Sequence, residues 1–226
     1  MIAPVRLDLH VHSDRSPDSS LDLGTIVGRI RALGLQGFAL TDHNSVAGHP
    51  ALRDMARAHP DLLFVPGVEV STIEGHLLGY GVDEAPPPRR PLAETVLWIR
   101  ERGGEPVLAH PFRWSHGVGE KAAREADVRA VEGLNGQTSQ RANRSALEIA
   151  RQRGLAVIGG SDGHTVRGLG TAYTTLQDRP ATVADVLEAI RRGRVGVGGT
   201  SLGLGGRLRW TVRNTVLRAG RGFRSV

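Results

Sequence analysis

Short apolar runs alternate along the chain with longer stretches in which apolar residues recur every three or four positions. The runs at 5–12, 37–40, 62–70, 76–82, 106–109, 128–134 and 155–159 read as strands. Between them the longer spacing predicts helices. One is capped by Ser20, passes through Ile26, Ile30 and Leu33, and stops at Gly34. Residues 91–102 form another, closed by Gly103 and Gly104. A third covers 139–153, with Ala142, Leu147, Ile149 and Ala150 as core positions and Gly154 as its stop. The last covers 182–192, with Val183, Val186, Leu187 and Ile190 on one face. Beyond Arg194 the pattern changes. Residues 193–206 are glycine-rich and read as linker, and 207–213 alternate through Leu208, Trp210 and Val212, as an edge strand or a short amphipathic helix would.

Strands alternating with helices imply an α/β fold with a mainly parallel sheet, open or closed into a barrel. Polar residues decide between the two. His10 and His12, Asp42 and His43, Glu69, His110, Asn135, and Asp162 and His164 all stand at or just past the end of an expected strand. A barrel gathers those ends on one face, where such folds carry their chemistry, whereas an open sheet spreads them along a line.

At 226 residues the chain fits a single barrel (1–190) with a glycine- and arginine-rich extension (191–226). Absence of cysteine excludes disulfides, thiolate metal sites and a cysteine nucleophile. No leader-like start and no apolar run of about 20 residues is visible, so the expectation is a cytoplasmic protein without a transmembrane segment. The net charge of +6 is uneven: residues 191–226 hold nine arginines and no acid, which leaves 20 basic against 23 acidic residues before them. Such a tail could dock on nucleic acid, although Trp210 and Phe223 are its only aromatics, so base stacking has little support there. Lys121 is the only lysine, a skew that coding bias explains.

A single histidine beside an apolar run is ordinarily structural. Recurrence at equivalent strand ends is not. In His10-Val11-His12 both imidazoles project to one side of a strand and can face one ion. Asp162-Gly163-His164 repeats that spacing with a carboxylate, and Glu69 has two oxygens with which to bridge two ions. His43, His76, His110 and, less clearly, His116 extend the set. No nucleophilic-serine elbow and no phosphate-binding glycine loop with lysine is present.

The combination Asp8-Leu9-His10-Val11-His12-Ser13, Thr41-Asp42-His43-Asn44, Pro66-Gly67-Val68-Glu69-Val70-Ser71, Ala109-His110-Pro111 and Gly160-Ser161-Asp162-Gly163-His164 resembles the PHP (polymerase and histidinol phosphatase) family of phosphoesterases over residues 5–178. The resemblance implies a distorted seven-stranded β/α barrel and a site for two to three divalent ions, zinc, manganese or iron. By the same resemblance His10, His12, Glu69 and Asp162 hold the first ion. Glu69, as the bridge, holds the second with His76 and His110. His43 and His164 hold the third with an acid from the loop after His12, where Asp18 has the better spacing and Asp14 is the alternative. The large insertions that shape the pocket in nucleoside-phosphate-cleaving members are missing, so the substrate is open: a nucleotide, a sugar phosphate or another small phosphorylated molecule.

The expected reaction is attack on phosphorus by a metal-bridging hydroxide held near Glu69. Asp42 is expected to orient a ligating imidazole or to cap its loop, Arg113 to contact a substrate phosphate, and Asn135 to face the same mouth, while Glu132 reads as structural. Two other readings are weighed. One is an amidohydrolase, whose barrels also open on His-x-His but often bridge their ions with a carboxylated lysine. The other is a metal-containing binding module without catalysis.

Overall fold

The computed structural model describes residues 4–201. Nine strands and six helices follow one another among them. β1 (Val5–Val11), β2 (Gly37–Leu40), β3 (Leu63–Ser71), β4 (His76–Tyr80), β5 (Glu105–Leu108), β6 (Ala130–Asn135) and β7 (Ala156–Gly160) are the seven expected runs. The helices are α1 (Leu23–Ala32), α2 (His49–Ala58), α3 (Leu92–Glu101), α4 (Gly119–Glu125), α5 (Gln140–Arg153) and α6 (Val183–Arg191). Two further strands, β8 (Ala172–Leu176) and β9 (Val195–Gly199), pair antiparallel outside β1, so the sheet takes in part of the glycine-rich stretch that reads as linker. The expectation for 207–213 lies outside the described residues.

The sheet runs β7-β6-β5-β4-β3-β2-β1-β8-β9 and curls until its ends approach. Closure is made beyond the last residue of β7: His12 N donates to Gly163 O (3.1 Å) and Gly163 N to His10 O (3.2 Å). Gly160 permits the contact, since a Cβ there would lie 2.4 Å from the His10 Cβ. The result is an α/β barrel with seven principal strands, nearly closed and distorted because β4 runs antiparallel to both β3 and β5.

Each helix covers the sheet with the side its spacing predicts. Ile26, Val27 and Ile30 of α1 pack with Phe38, Leu40 and Phe64. Val96 and Ile99 of α3 and Ile149 and Ala150 of α5 pack with Val70, Leu77, Leu108 and Val131. Val186, Leu187 and Ile190 of α6 close the end opposite the histidines, against Leu7, Leu9, Leu78 and Tyr80. Burying each such side chain contributes about 1.5–3 kcal/mol.

Three details depart from the sequence reading. The cap of α1 is Asp22, whose carboxylate accepts from Thr25 N (2.8 Å), not Ser20. An acid two residues further on meets the helix's positive end more favourably than a hydroxyl. Leu147 is 38% exposed, and Ala146 takes its place in the core. α4, short and mostly polar, gives no apolar period to read, whereas α2 went unread although Leu52, Met55 and Ala56 recur at helical spacing and pack on the core. By contrast, Gly154 ends α5 as expected, Ser139 at the start of the expected range is its N-cap, and Thr182 with Asp185 forms a capping box on α6.

Candidate metal centre

The strand ends on one face of the barrel bring His10, His12, Asp18, His43, Glu69, His76, His110, Asp162 and His164 into one cluster, each no more than 9% exposed. Two chain reversals make this possible. β3 and β4 form an antiparallel pair in which Ser71 faces His76, so the start of β4 lies at the same end as the finish of β3. The loop after His12 folds back through Ser16 and Ser19, with Ser19 Oγ donating to His12 O, and so carries Asp18 inward.

Glu69 is the hub. Its Oε2 lies 3.4 Å from His10 Nε2, 3.3 Å from His12 Nε2 and 3.0 Å from His43 Nδ1. Its Oε1 lies 2.8 Å from His76 Nδ1 and 3.0 Å from His110 Nε2. Asp162 Oδ1 adds contacts of 3.7, 3.4 and 3.5 Å to His10, His12 and His164. Asp18 stands at the far side, Oδ1 3.2 Å from His164 Nε2 and Oδ2 3.6 Å from His43 Nε2. Asp14 is half-exposed and pairs with Arg15, outside the cluster.

The protons can be assigned from the partners. His164 Nδ1 bonds the Asp162 carbonyl, which only accepts, so Nδ1 carries hydrogen. Ser16 Oγ spends its one hydrogen on Asp42 Oδ1, so His12 Nδ1 must donate to it. His10 Nδ1 donates to Glu132 Oε1 (2.9 Å). With Nδ1 engaged in each ring, the nitrogen left to a metal is Nε2, and all three Nε2 atoms point into the cluster. Nε2 lone pairs aimed at carboxylate oxygens are held together by positive charge, a metal ion or, without one, protons. His10 Nε2, His12 Nε2, His43 Nδ1 and Glu69 Oε2 are buried without a hydrogen-bond partner among the described residues. Three groups, His10-His12-Glu69-Asp162, His43-Glu69-His76 and His12-His43-His164, have ligand atoms within 4.8 Å of one another, as one ion needs.

The electrostatics state the same demand for positive charge. Burial alone would push the His10 imidazole down, but the carboxylates of Glu132, Glu69 and Asp162 hold it well above its ordinary value. His43 is likewise raised to about 9 against burial, by Glu69 and Asp18. Conversely, burial would raise Glu69 and Asp162, yet the surrounding histidines, with Arg113 for Asp162, hold both well below the carboxylate range. His76 alone goes the other way, lowered to about 3 by burial that Glu69 does not offset.

The remaining residues stand around the cluster. Asp42 accepts from Ser13 N, Ser13 Oγ and Ser16 Oγ at 2.6–2.7 Å, so it caps the loop and reaches His12 only through Ser16. Arg113 Nη1 donates to Asp162 Oδ2 (2.6 Å) from the partly open mouth. Asn135, expected at the mouth, is instead buried and donates to Glu132 (3.0 Å) and Asp162 (3.3 Å). His116 is exposed on the rim, its ring stacked on His76 at 4.6 Å. Glu132, read from sequence as structural, is the residue that reasoning missed. It binds His10 through one oxygen and His110 N and Asn135 through the other. Its place near the end of β6, three residues before Asn135, puts it inside the barrel, the only signal the sequence offered. The left-handed backbone of His110 (φ 27°) and Asp162 (φ 54°) is costly for non-glycine residues and is held by these bonds.

Comparison with known proteins agrees with the fold. A family model described as PHP-associated matches residues 140–195. An uncharacterised protein of Methanocaldococcus jannaschii is 30% identical over 177 residues, covering 75% of this chain and 69% of that protein. The 5'-3' exoribonuclease Rnm of Salmonella typhimurium is 34% identical over 131 residues, covering 55% of this chain and 44% of that enzyme. Among solved structures, a two-domain Bacteroides vulgatus protein containing a predicted PHP-like metal-dependent phosphoesterase superposes with a TM-score of 0.71 at 18% identity, over 93% of this chain and 70% of that one.

Proposed function

Because this chain belongs to the PHP family, we propose that it is a metal-dependent phosphoesterase holding two to three divalent ions of zinc, manganese or iron in the histidine–carboxylate cluster. The observation that carries the proposal is Glu69 Oε2, ringed at 3.0–3.4 Å by three imidazole nitrogens, all four atoms buried without a hydrogen-bond partner among the described residues. The donor set of neutral imidazoles and carboxylates suits all three metals. His10, His12, Glu69 and Asp162 would hold one ion, Glu69 with His76 and His110 a second, and His43, His164 and Asp18 a third.

Bound there, divalent ions would bring a water's pKa towards neutrality and draw off charge developing on phosphate oxygens. The chain's own residues do the rest. Glu69 spans the centre with both oxygens. Glu132, Ser16 and the Asp162 carbonyl fix the tautomers of His10, His12 and His164. Asn135 and Arg113 fix Asp162, and Arg113 brings a guanidinium to the mouth, where a phosphate would approach. Burial of the cluster strengthens each of these interactions.

The substrate we favour is a phosphate ester of a nucleotide, free or at a nucleic acid end, in keeping with the exoribonuclease relative. Lys121 lies exposed on α4, away from the cluster, so the lysine-bridged amidohydrolase centre has no lysine to use. Phosphate release from nucleotides, sugar phosphates and histidinol phosphate, with manganese added and metal content measured, tests the proposal. Release that is abolished by Asp162→Ala is expected. Silence across the panel in protein that holds its metals would favour the non-catalytic binding module.

A further inference from the structure

Beside the metal centre runs a groove that the chemistry above does not use. It lies between α4 and α5, has a volume of about 330 Å³, and is lined by Phe112, by Arg124, Arg141 and Arg144, and by Glu120 and Glu148. It starts next to the site. Phe112 lies two residues past His110, and α5 begins five residues past Asn135, which itself bonds Asp162.

The charges in this groove do not cancel. Glu120 is taken by Arg124, at 2.8 and 3.0 Å, and Glu148 by Arg151 and Gln152. Arg141 and Arg144, exposed and one turn apart on α5, have no carboxylate partner among the described residues. Two uncompensated guanidiniums on one helix face present an evenly spaced anion-binding edge. The loop 111–118 adds aromatic surface: Phe112 is half-buried in the groove, and the Trp114 ring is fully exposed.

We infer that this groove is a binding track for a single-stranded polynucleotide whose terminal phosphate lies in the metal centre. Arginines alone would take any polyanion. Flat aromatic rings beside them select unpaired bases, whose faces are hidden in a duplex. The chain's own tail is a poor occupant, because residues 202–226 contain six arginines and no acid and would be repelled. The inference rests on the phosphoesterase reading for the direction of the strand, but not for its binding.

Fluorescence anisotropy with the full chain therefore tests it without reference to turnover. The probes are a 5'-phosphorylated octanucleotide, single-stranded or annealed to its complement, with a mononucleotide as competitor. Arg141→Gln/Arg144→Gln is compared with Arg31→Gln/Arg57→Gln, an equal loss of charge on the far helices α1 and α2. All variants keep the tail, so its contribution cancels. The groove pair should weaken octamer binding by about tenfold or more and reduce the salt slope by about 1.4, that is 0.7 per single-strand phosphate. Trp114→Ala should weaken it further, and mononucleotide affinity should not change. Three results would each overturn the inference: wild-type octamer affinity in the groove pair, an equal loss in the control pair, or equal binding of duplex and single strand. Tight, groove-dependent binding without phosphate release would count against the phosphoesterase reading alone.

Discussion

Glu132→Gln tests the claim that the cluster is organised by proton placement. Glu132 accepts three hydrogen bonds with two oxygens: His10 Nδ1 at 2.9 Å on Oε1, and His110 N at 2.9 Å and Asn135 Nδ2 at 3.0 Å on Oε2. Glutamine fits the space but has one acceptor. If its oxygen keeps the two donors on the Oε2 side, its amide faces His10. Turned the other way, it opposes two donors instead of one, so the first orientation wins. His10 must then accept at Nδ1 and carry its hydrogen on Nε2, against Glu69 and Asp162, where the metal would be. Losing one charge-assisted hydrogen bond costs about 1.5–3 kcal/mol. At about 1.4 kcal/mol per factor of ten, metal should bind roughly 10–150-fold more weakly, in the range seen when a ligand's hydrogen-bond partner is removed. Titration against a competing chelator at pH 7.5 measures this, with thermal unfolding as the check on folding. Metal affinity within twofold of wild type in a folded Glu132→Gln would refute the tautomer argument.

Two other outcomes follow from the same geometry. With the surrounding carboxylates holding His10 well above its ordinary value and His43 at about 9, the metal-free cluster carries protons that a metal must displace. Metal needs both rings neutral, so its uptake should release protons and tighten as pH rises from 7 to 9; calorimetry in two buffers of different ionisation enthalpy reads the release, and none at pH 7 would contradict it. Gly160→Ala should force a Cβ to 2.4 Å from the His10 Cβ and 2.7 Å from its nitrogen, costing about 1–3 kcal/mol of stability and displacing a ligand. A melting temperature and metal content equal to wild type would show that the barrel seam is looser than described.

Much of this was legible in the sequence because two periods coincide there. Strand alternation puts His10 and His12 on one side, and strand ends put them beside Asp162 and His164, so clustering needed only the right order of strands. Where the helical period was strong the core followed, fully in α6 through Val186, Leu187 and Ile190, and in α5 at Ile149 and Ala150 but not at Leu147. What was not legible depends on contacts far apart in sequence. Glu132 looks like any acid near an apolar run until β6 is placed inside the barrel with His10 against it. Asn135 carries no mark of burial in its neighbours. Between Asp14 and Asp18, spacing expresses a preference, but the turn held by Ser16 and Ser19 decides it. β8 and β9 escaped notice because threonines and glycines carry little apolar signal, though the backbone pairing of β8 with β1 and of β9 with β8 needs none.

The placement of His76 shows why the strand-end rule worked at a residue where it should have failed. In a barrel of parallel strands only carboxyl-terminal ends reach the chemical face, and a histidine that begins a strand would lie at the opposite end. Here β4 is inverted. Its register sets Ser71 against His76 and Glu69 against Leu78, so the first residue of β4 meets the last of β3 across a turn of four residues. The inversion lets one carboxylate on β3 be approached from both sides, by His43 at the end of β2 and by His76 at the start of β4, at 3.0 and 2.8 Å. β5 then returns parallel to β3 and delivers His110 to the same oxygen as His76. A regular barrel would have to supply that third direction from a loop. The distortion of the sheet is thus what gives Glu69 five imidazole neighbours, and with them the means to bridge ions that a single strand end could not reach.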